Sequence, residues 1–167
     1  MYFDQLARNF STQPGPIGEV RVRDRRFLPN IPPEQLQKVL QFLDANSKPG
    51  ERLFVGPGDL RRAFANDVFV YHLLPWLTPA TYFLEMNPFS ANRPNSRLAS
   101  DIASADWVVL NSAWDHPREH NLSSQNGPDE PNAVVRDHFE LRGQIGPFRV
   151  YYRKSLSPSA APKSSSG

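Results

Sequence analysis

The stretch NSAWDHPREHN, Asn111 to Asn121, gathers two histidines, two acids and a tryptophan, and within it His116, Glu119 and His120 spell H-x-x-E-H. That pattern does hydrolysis in metalloproteases. Two histidines one helical turn apart hold zinc, and the glutamate works on the metal-bound water. Families with this inverted motif add a third protein ligand well downstream. Here little chain follows His120, and its end from Ser155 is SLSPSAAPKSSSG. The window also lacks the apolar stripe that seats a helix on a core. The residues therefore read as a solvated or capping loop, with a metal site at His116, Glu119 and His120 as the less favoured alternative and no cofactor expected.

Other residue groups offer binding rather than chemistry. Trp114, amid Asn111, Asp115 and His116, reads either as a ring on which a sugar can stack while amides and carboxylates take its hydroxyls, or as a cover over the sheet edge. GPGDLRR, Gly56 to Arg62, combines a glycine-rich turn, a helix cap candidate at Asp59 and two guanidinium groups, Arg61 and Arg62, suited to a phosphate. It is not a P-loop, and the plainer reading has Asp59 as a cap with the arginines solvated or ion-paired. Glu85 and Asn87 complete the candidate ligand set. Asp59, Asp67, Glu85 and Asp115 supply the carboxylates that a glycosidase pair would need. A Ser–His–Asp enzyme is disfavoured, since there is no G-x-S-x-G elbow.

These groups depend on the elements that carry them. PPEQLQKVLQFLDAN places Leu36, Val39, Leu40 and Leu43 at helical spacing behind Pro32 and Pro33, and Pro49-Gly50 ends the helix. RLFVG (Arg52 to Gly56), ATYFLEM (Ala80 to Met86) and DWVVL (Asp106 to Leu110) read as strands with helical segments between them, a spacing that suits parallel crossovers. Asn95 or Ser96 is the cap candidate for the second of these helical segments, which carries Leu98, Ile102 and Ala105 on one face. EVRVRDRRFL, from Glu19, alternates as an exposed or edge strand does. Pro131 opens a further helix, and FELRGQIGPFRVYYRK reads as a hairpin. The expectation is a three-layer α/β sandwich, mostly parallel, with a C-terminal antiparallel hairpin. In such a sheet ligands sit beyond the carboxyl ends of the strands, where Gly56–Arg62, Glu85–Pro88 and Asn111–Asn121 should meet.

The whole chain sets bounds. At 167 residues it suits one domain, placed at residues 19–154 between a linker at 1–18 and a disordered tail at 155–167. Its +2 net charge comes with scattered arginines, which does not point to nucleic acid. The absence of cysteine excludes disulfides and thiolate chemistry. Apolar runs such as FVYHLLPWL fall short of the roughly 20 residues of a bilayer span. The sequons at Asn9 and Asn121 decide nothing without a known host.

PGERLFVGPGDLRR, NDVFVYHLLP, ATYFLEMNP, SRLASDIASADWVVLNSAWD and DEPNAVVRDHFELRGQIGPFRVYYRK together resemble the C-terminal soluble region of multi-pass actinobacterial membrane proteins of the GT-C, mannosyltransferase-like glycosyltransferase type. The resemblance covers Pro49 to Lys154. It implies a non-catalytic accessory domain on the extracytoplasmic face of the membrane, partnered by the transmembrane portion of its own parent chain and by a glycan or polyprenyl-phosphate sugar. It carries no catalytic residue, because the acids associated with that catalysis lie in the membrane portion. Tyr2, Phe3, Leu6 and Phe10 would then lie at the membrane interface or against the helical bundle. The alternative is a small stand-alone hydrolase, through zinc at His116 and His120 or through paired carboxylates.

Overall fold

The computed structural model describes residues 18–27, 33–62, 66–81, 91–115 and 127–155. The expected linker up to residue 17, the tail from residue 156, and Glu85, Asn87, His116, Glu119 and His120 lie outside them. Among the described residues, a five-stranded sheet has the order β4-β3-β5-β7-β6, and a separate ribbon pairs β1 (Val20–Val22) with β2 (Arg25–Phe27).

In the sheet, β3 (Arg52–Pro57) and β5 (Trp107–Asn111) are its interior parallel strands, and β3 also pairs in parallel with the short edge strand β4 (Thr78–Pro79). All of β5 and all of β3 beyond Arg52 are buried. Such strands read as unbroken apolar runs because both faces are covered. Leu53, Val55, Trp107 and Val109 feed one core, and Phe54, Val108 and Leu110 feed the other.

The first core is closed by helix α1 (Pro33–Asn46) through Leu36, Val39, Leu40 and Leu43, joined by α2 (Phe69–Leu73). Pro33 opens α1, where its missing N–H costs nothing. The ribbon lies on this side too. Val20 and Val22 are buried, and the Gln37 amide accepts from the Arg21 N–H at 2.7 Å and donates to the Arg21 carbonyl at 2.7 Å, doing for β1 what a neighbouring strand would. The alternation from Glu19 thus makes a small ribbon of its own, turning at Arg23-Asp24, and not an edge of the main sheet.

The second core is closed by α3 (Leu98–Ala103) and α4 (Glu130–His138), with Leu98, Ile102 and Val135 buried. Arg97 is the N-terminal flanking residue of α3 and makes no side-chain cap; Ser96 Oγ accepts from the Leu98 N–H at a long 3.4 Å. Asn95 has φ of 61° and serves the turn before it.

The three-layer sandwich on a mostly parallel sheet does not form. The expected hairpin of β6 (Phe139–Ile145) and β7 (Phe148–Arg153) does form and joins the sheet through β7 against β5, so two of the four pairings are antiparallel. The sheet is mixed. Parallel pairing beyond β3 and β5 shrinks to Arg52↔Thr78 and Leu53↔Pro79, upstream of the strand expected at Ala80–Met86, whose residues from 82 onward lie outside the described set. Proline has no N–H to extend a ladder. No helix among the described residues is long and apolar enough to cross a membrane.

Candidate functional site

Parallel pairing delivers the ends of β3 and β5 to one edge of the sheet, and the segments that follow them lock together. The Gly58 N–H donates to the Asn111 carbonyl at 3.0 Å, and the Asp59 N–H to Asp115 Oδ1 at 2.7 Å. The Arg62 guanidinium donates to the Asp115 carbonyl. Only glycine fits position 58: a Cβ there would lie 2.5 Å from Asp115 Oδ2 and 2.8 Å from the Ser112 Cα. The segments beginning at Gly56 and at Asn111 therefore meet as the topology requires, while Glu85–Pro88 lies outside the described residues.

Asp59 is the hub of this edge. Its Oδ1 accepts from the Arg61 N–H at 3.1 Å, Arg61 Nε at 3.0 Å and Asn132 Nδ2 at 2.9 Å, and its Oδ2 from Arg61 Nη2 at 2.7 Å. The Arg61 hydrogen bonds, opposed by partial burial and helped by Asn132, hold its carboxyl down at about 2. Asn132, in the first turn of α4, reciprocates by accepting from the Leu60 N–H at 2.9 Å. Asp59 thus caps a single turn of 3₁₀ helix, Leu60–Arg62, and ties it to α4. The buried amide of Asn92 reinforces the tie, donating to the Leu60 and Pro128 carbonyls at 2.8 and 2.9 Å.

Beside this hub lies an open cleft of about 400 Å³. Its walls include Asp59 and Arg61 from the segment after β3, Asp129 and Asn132 from the start of α4, Arg136 from its last turn, and Arg149 and Tyr151 from β7. Arg136 pairs with Asp129 at 3.0 Å, and Asn132 with Arg136 draws the Asp129 carboxyl below its usual range. Arg149 donates through Nη2 to the Gly58 carbonyl at 2.8 Å.

Trp114 belongs elsewhere. It is half-buried in a 3₁₀ turn, Ser112–Trp114, and its indole N–H donates to Asp67 Oδ1 at 3.0 Å, while Asn111 Nδ2 donates to Asp67 Oδ2 at 2.7 Å. Asp67 and Asn111 are each 1% exposed. Burial, only partly offset by these two donors, raises the Asp67 carboxyl. The aromatic ring that lines the cleft is that of Tyr151.

No family model, curated protein or solved structure matches this chain. Of the residues singled out in the sequence, Asp59, Arg61, Arg62 and Asp115 come together at one edge, with Arg61 and Arg62 held by protein acceptors. Glycosidase chemistry needs one carboxyl kept protonated. Asp59 is held in the opposite state, and Asp67, the raised acid, is sealed inside with both oxygens engaged. Among the described residues no cluster of three His, Cys, Asp or Glu could hold a metal ion. Sequence reasoning missed Asn132, Arg136, Arg149 and Tyr151. The alternation of Arg149 and Tyr151 with Phe148 and Val150 was a usable signal for a shared face, but not for which neighbour that face meets.

Proposed function

We propose that this chain is a non-catalytic accessory domain of a membrane glycosyltransferase-like protein of cell-envelope glycan assembly. It lies on the extracytoplasmic side, packs against the transmembrane portion of its parent, and binds glycan acceptor or lipid-linked sugar donor in the cleft beside Asp59. The resemblance from Pro49 to Lys154 supplies the class. The observation that carries the binding role is the cleft itself, where guanidinium, carboxylate, amide and phenol groups from three separate chain segments converge on about 400 Å³. Polyhydroxylated ligands are recognised by this mixture of fixed donors and acceptors beside a ring. Asp59, ionised and chelated, supports a binding role over acid–base work.

The test is an NMR titration of the chain with mannose and arabinose oligosaccharides and their acidic counterparts. Amide shifts centred on Gly58, Leu60, Asn132 and Arg149 are expected. Unmoved amides across the whole panel would remove the reading.

A further inference from the structure

Within the cleft, opposite charges are not evenly matched. Arg61 is chelated by Asp59 at 2.7 Å and lies 4.0 Å from Asp129, which in turn takes Arg136 at 3.0 Å. Two arginines are thus matched by two aspartates. Arg149 faces the same space with no carboxylate within ion-pairing distance among the described residues, its one hydrogen bond going to the Gly58 carbonyl. A guanidinium has five N–H donors, so most of its fork is left for a ligand.

Its backbone is held on both sides. Arg149 sits within β7, paired to Leu110 of β5 on one side and to Gln144 of β6 on the other. Tyr151, two residues on and opposite Val108, shares its face of the sheet and lines the same cleft. A cation fixed on a doubly paired strand keeps its geometry without ordering a loop on binding.

Building on the glycan reading above, we infer that the cleft selects a sugar bearing a single negative charge, with the oxyanion seated on Arg149. A phosphodiester and a uronate carboxylate share this chemistry: both offer two acceptor oxygens to a guanidinium fork. The exposed Asp129 carboxylate retains lone pairs for ring hydroxyls and disfavours a second negative charge. Arg61 and Arg62, the phosphate candidates in the sequence, have protein acceptors instead, so the anion site shifts across the cleft to β7.

The test uses the whole chain and three probes: methyl α-D-mannopyranoside, the corresponding mannosyl methyl phosphodiester, and methyl β-D-glucuronide. Affinities come from amide shifts in the native protein, in Arg149→Met and in Arg149→Lys. At least one charged probe should bind about tenfold tighter than the neutral one, the difference a charge-assisted hydrogen-bond pair supplies. Whichever charged probe binds tighter identifies the anion's source. The preference should vanish in Arg149→Met and survive in weakened form in Arg149→Lys, which keeps the charge but not the fork. Added salt should weaken the charged probe and spare the neutral one, a readout that needs no variant. Equal binding of charged and neutral probes, a preference that persists in folded Arg149→Met, or one indifferent to salt overturns the anion inference and leaves glycan binding intact. Silence for all three probes and for the oligosaccharide panel takes both down.

Discussion

Replacing Asp67 by alanine removes the acceptor of the Asn111 amide and the Trp114 indole N–H, at 2.7 and 3.0 Å. Hydrogen bonds to a charged group are worth about 1.5–3 kcal/mol each, a gross gain opposed by the several kcal/mol of holding a carboxylate out of water. After truncation, half-buried Trp114 finds water. Asn111, at 1% exposure, does not, and its stranded amide costs about 1–3 kcal/mol. The variant should therefore be less stable by about 1–3 kcal/mol at neutral pH. The pH dependence is the sharper reading. Burial raises the folded-state pKa of Asp67 above its unfolded value, so the native form binds more protons. The contribution of this group is full below about pH 3.9, the unfolded value, and is lost as pH rises through the raised folded value. Urea unfolding of both proteins between about pH 4 and 7 should show a gap that narrows as pH rises, by up to about 1.4 kcal/mol per unit. A gap that widens with pH would mean that the two donors outweigh burial and that desolvation does not govern the Asp67 carboxyl.

Gly58→Ala should lower stability by about 1–3 kcal/mol, since the new methyl meets backbone at Ser112 Cα, 2.8 Å away, as well as Asp115; an unchanged denaturation midpoint would show that the two segments do not meet. Asp59, held at about 2, contributes stability that is present above its unfolded value near about 3.9 and lost as pH falls through the folded one. The acid limb of a circular-dichroism titration should accordingly be shallower in Asp59→Ala than in the native chain, and identical limbs would contradict the Arg61 chelate. Phe148→Ala, at a residue 1% exposed where β7 meets the α1 side, should cost about 3–5 kcal/mol in urea unfolding; a loss below about 1 kcal/mol would place that ring outside the core.

Local pattern was legible and long-range pairing was not. The spacing of Leu36, Val39, Leu40 and Leu43 is a property of one helix, and Pro33 and Pro49-Gly50 bound it in the chain itself. The apolar run from Trp107 to Leu110 likewise marks a strand covered on both faces. Nothing in PFRVYYR states that it lies against β5, because an alternating strand fits beside any neighbour offering the same two faces. That antiparallel pairing, together with a parallel ladder to β4 of only two residue pairs, makes the expected mostly parallel sheet a mixed one.

The same physics explains why the candidate site was half visible. Asp59, Arg61, Arg62 and Asp115 are announced by turn glycines and strand ends, since residues after parallel strands must gather at one edge. Their hydrogen bonds then use up much of the chemistry that drew attention to them: Asp59 is chelated and Asp115 caps an amide. What remains for a ligand comes from partners that the edge recruits across the fold. Asn132 arrives because α4 packs on Leu60, and Arg149 because β7 pairs with β5 in a register that sets it opposite Leu110. A shift of one residue in that register would turn Arg149 to the α1 face and bury its charge against Val109 and Trp107. The cost of that burial is what couples the sheet's pairing to the chemistry of the cleft, so an anion-binding arginine at this position is also a device that specifies the strand register.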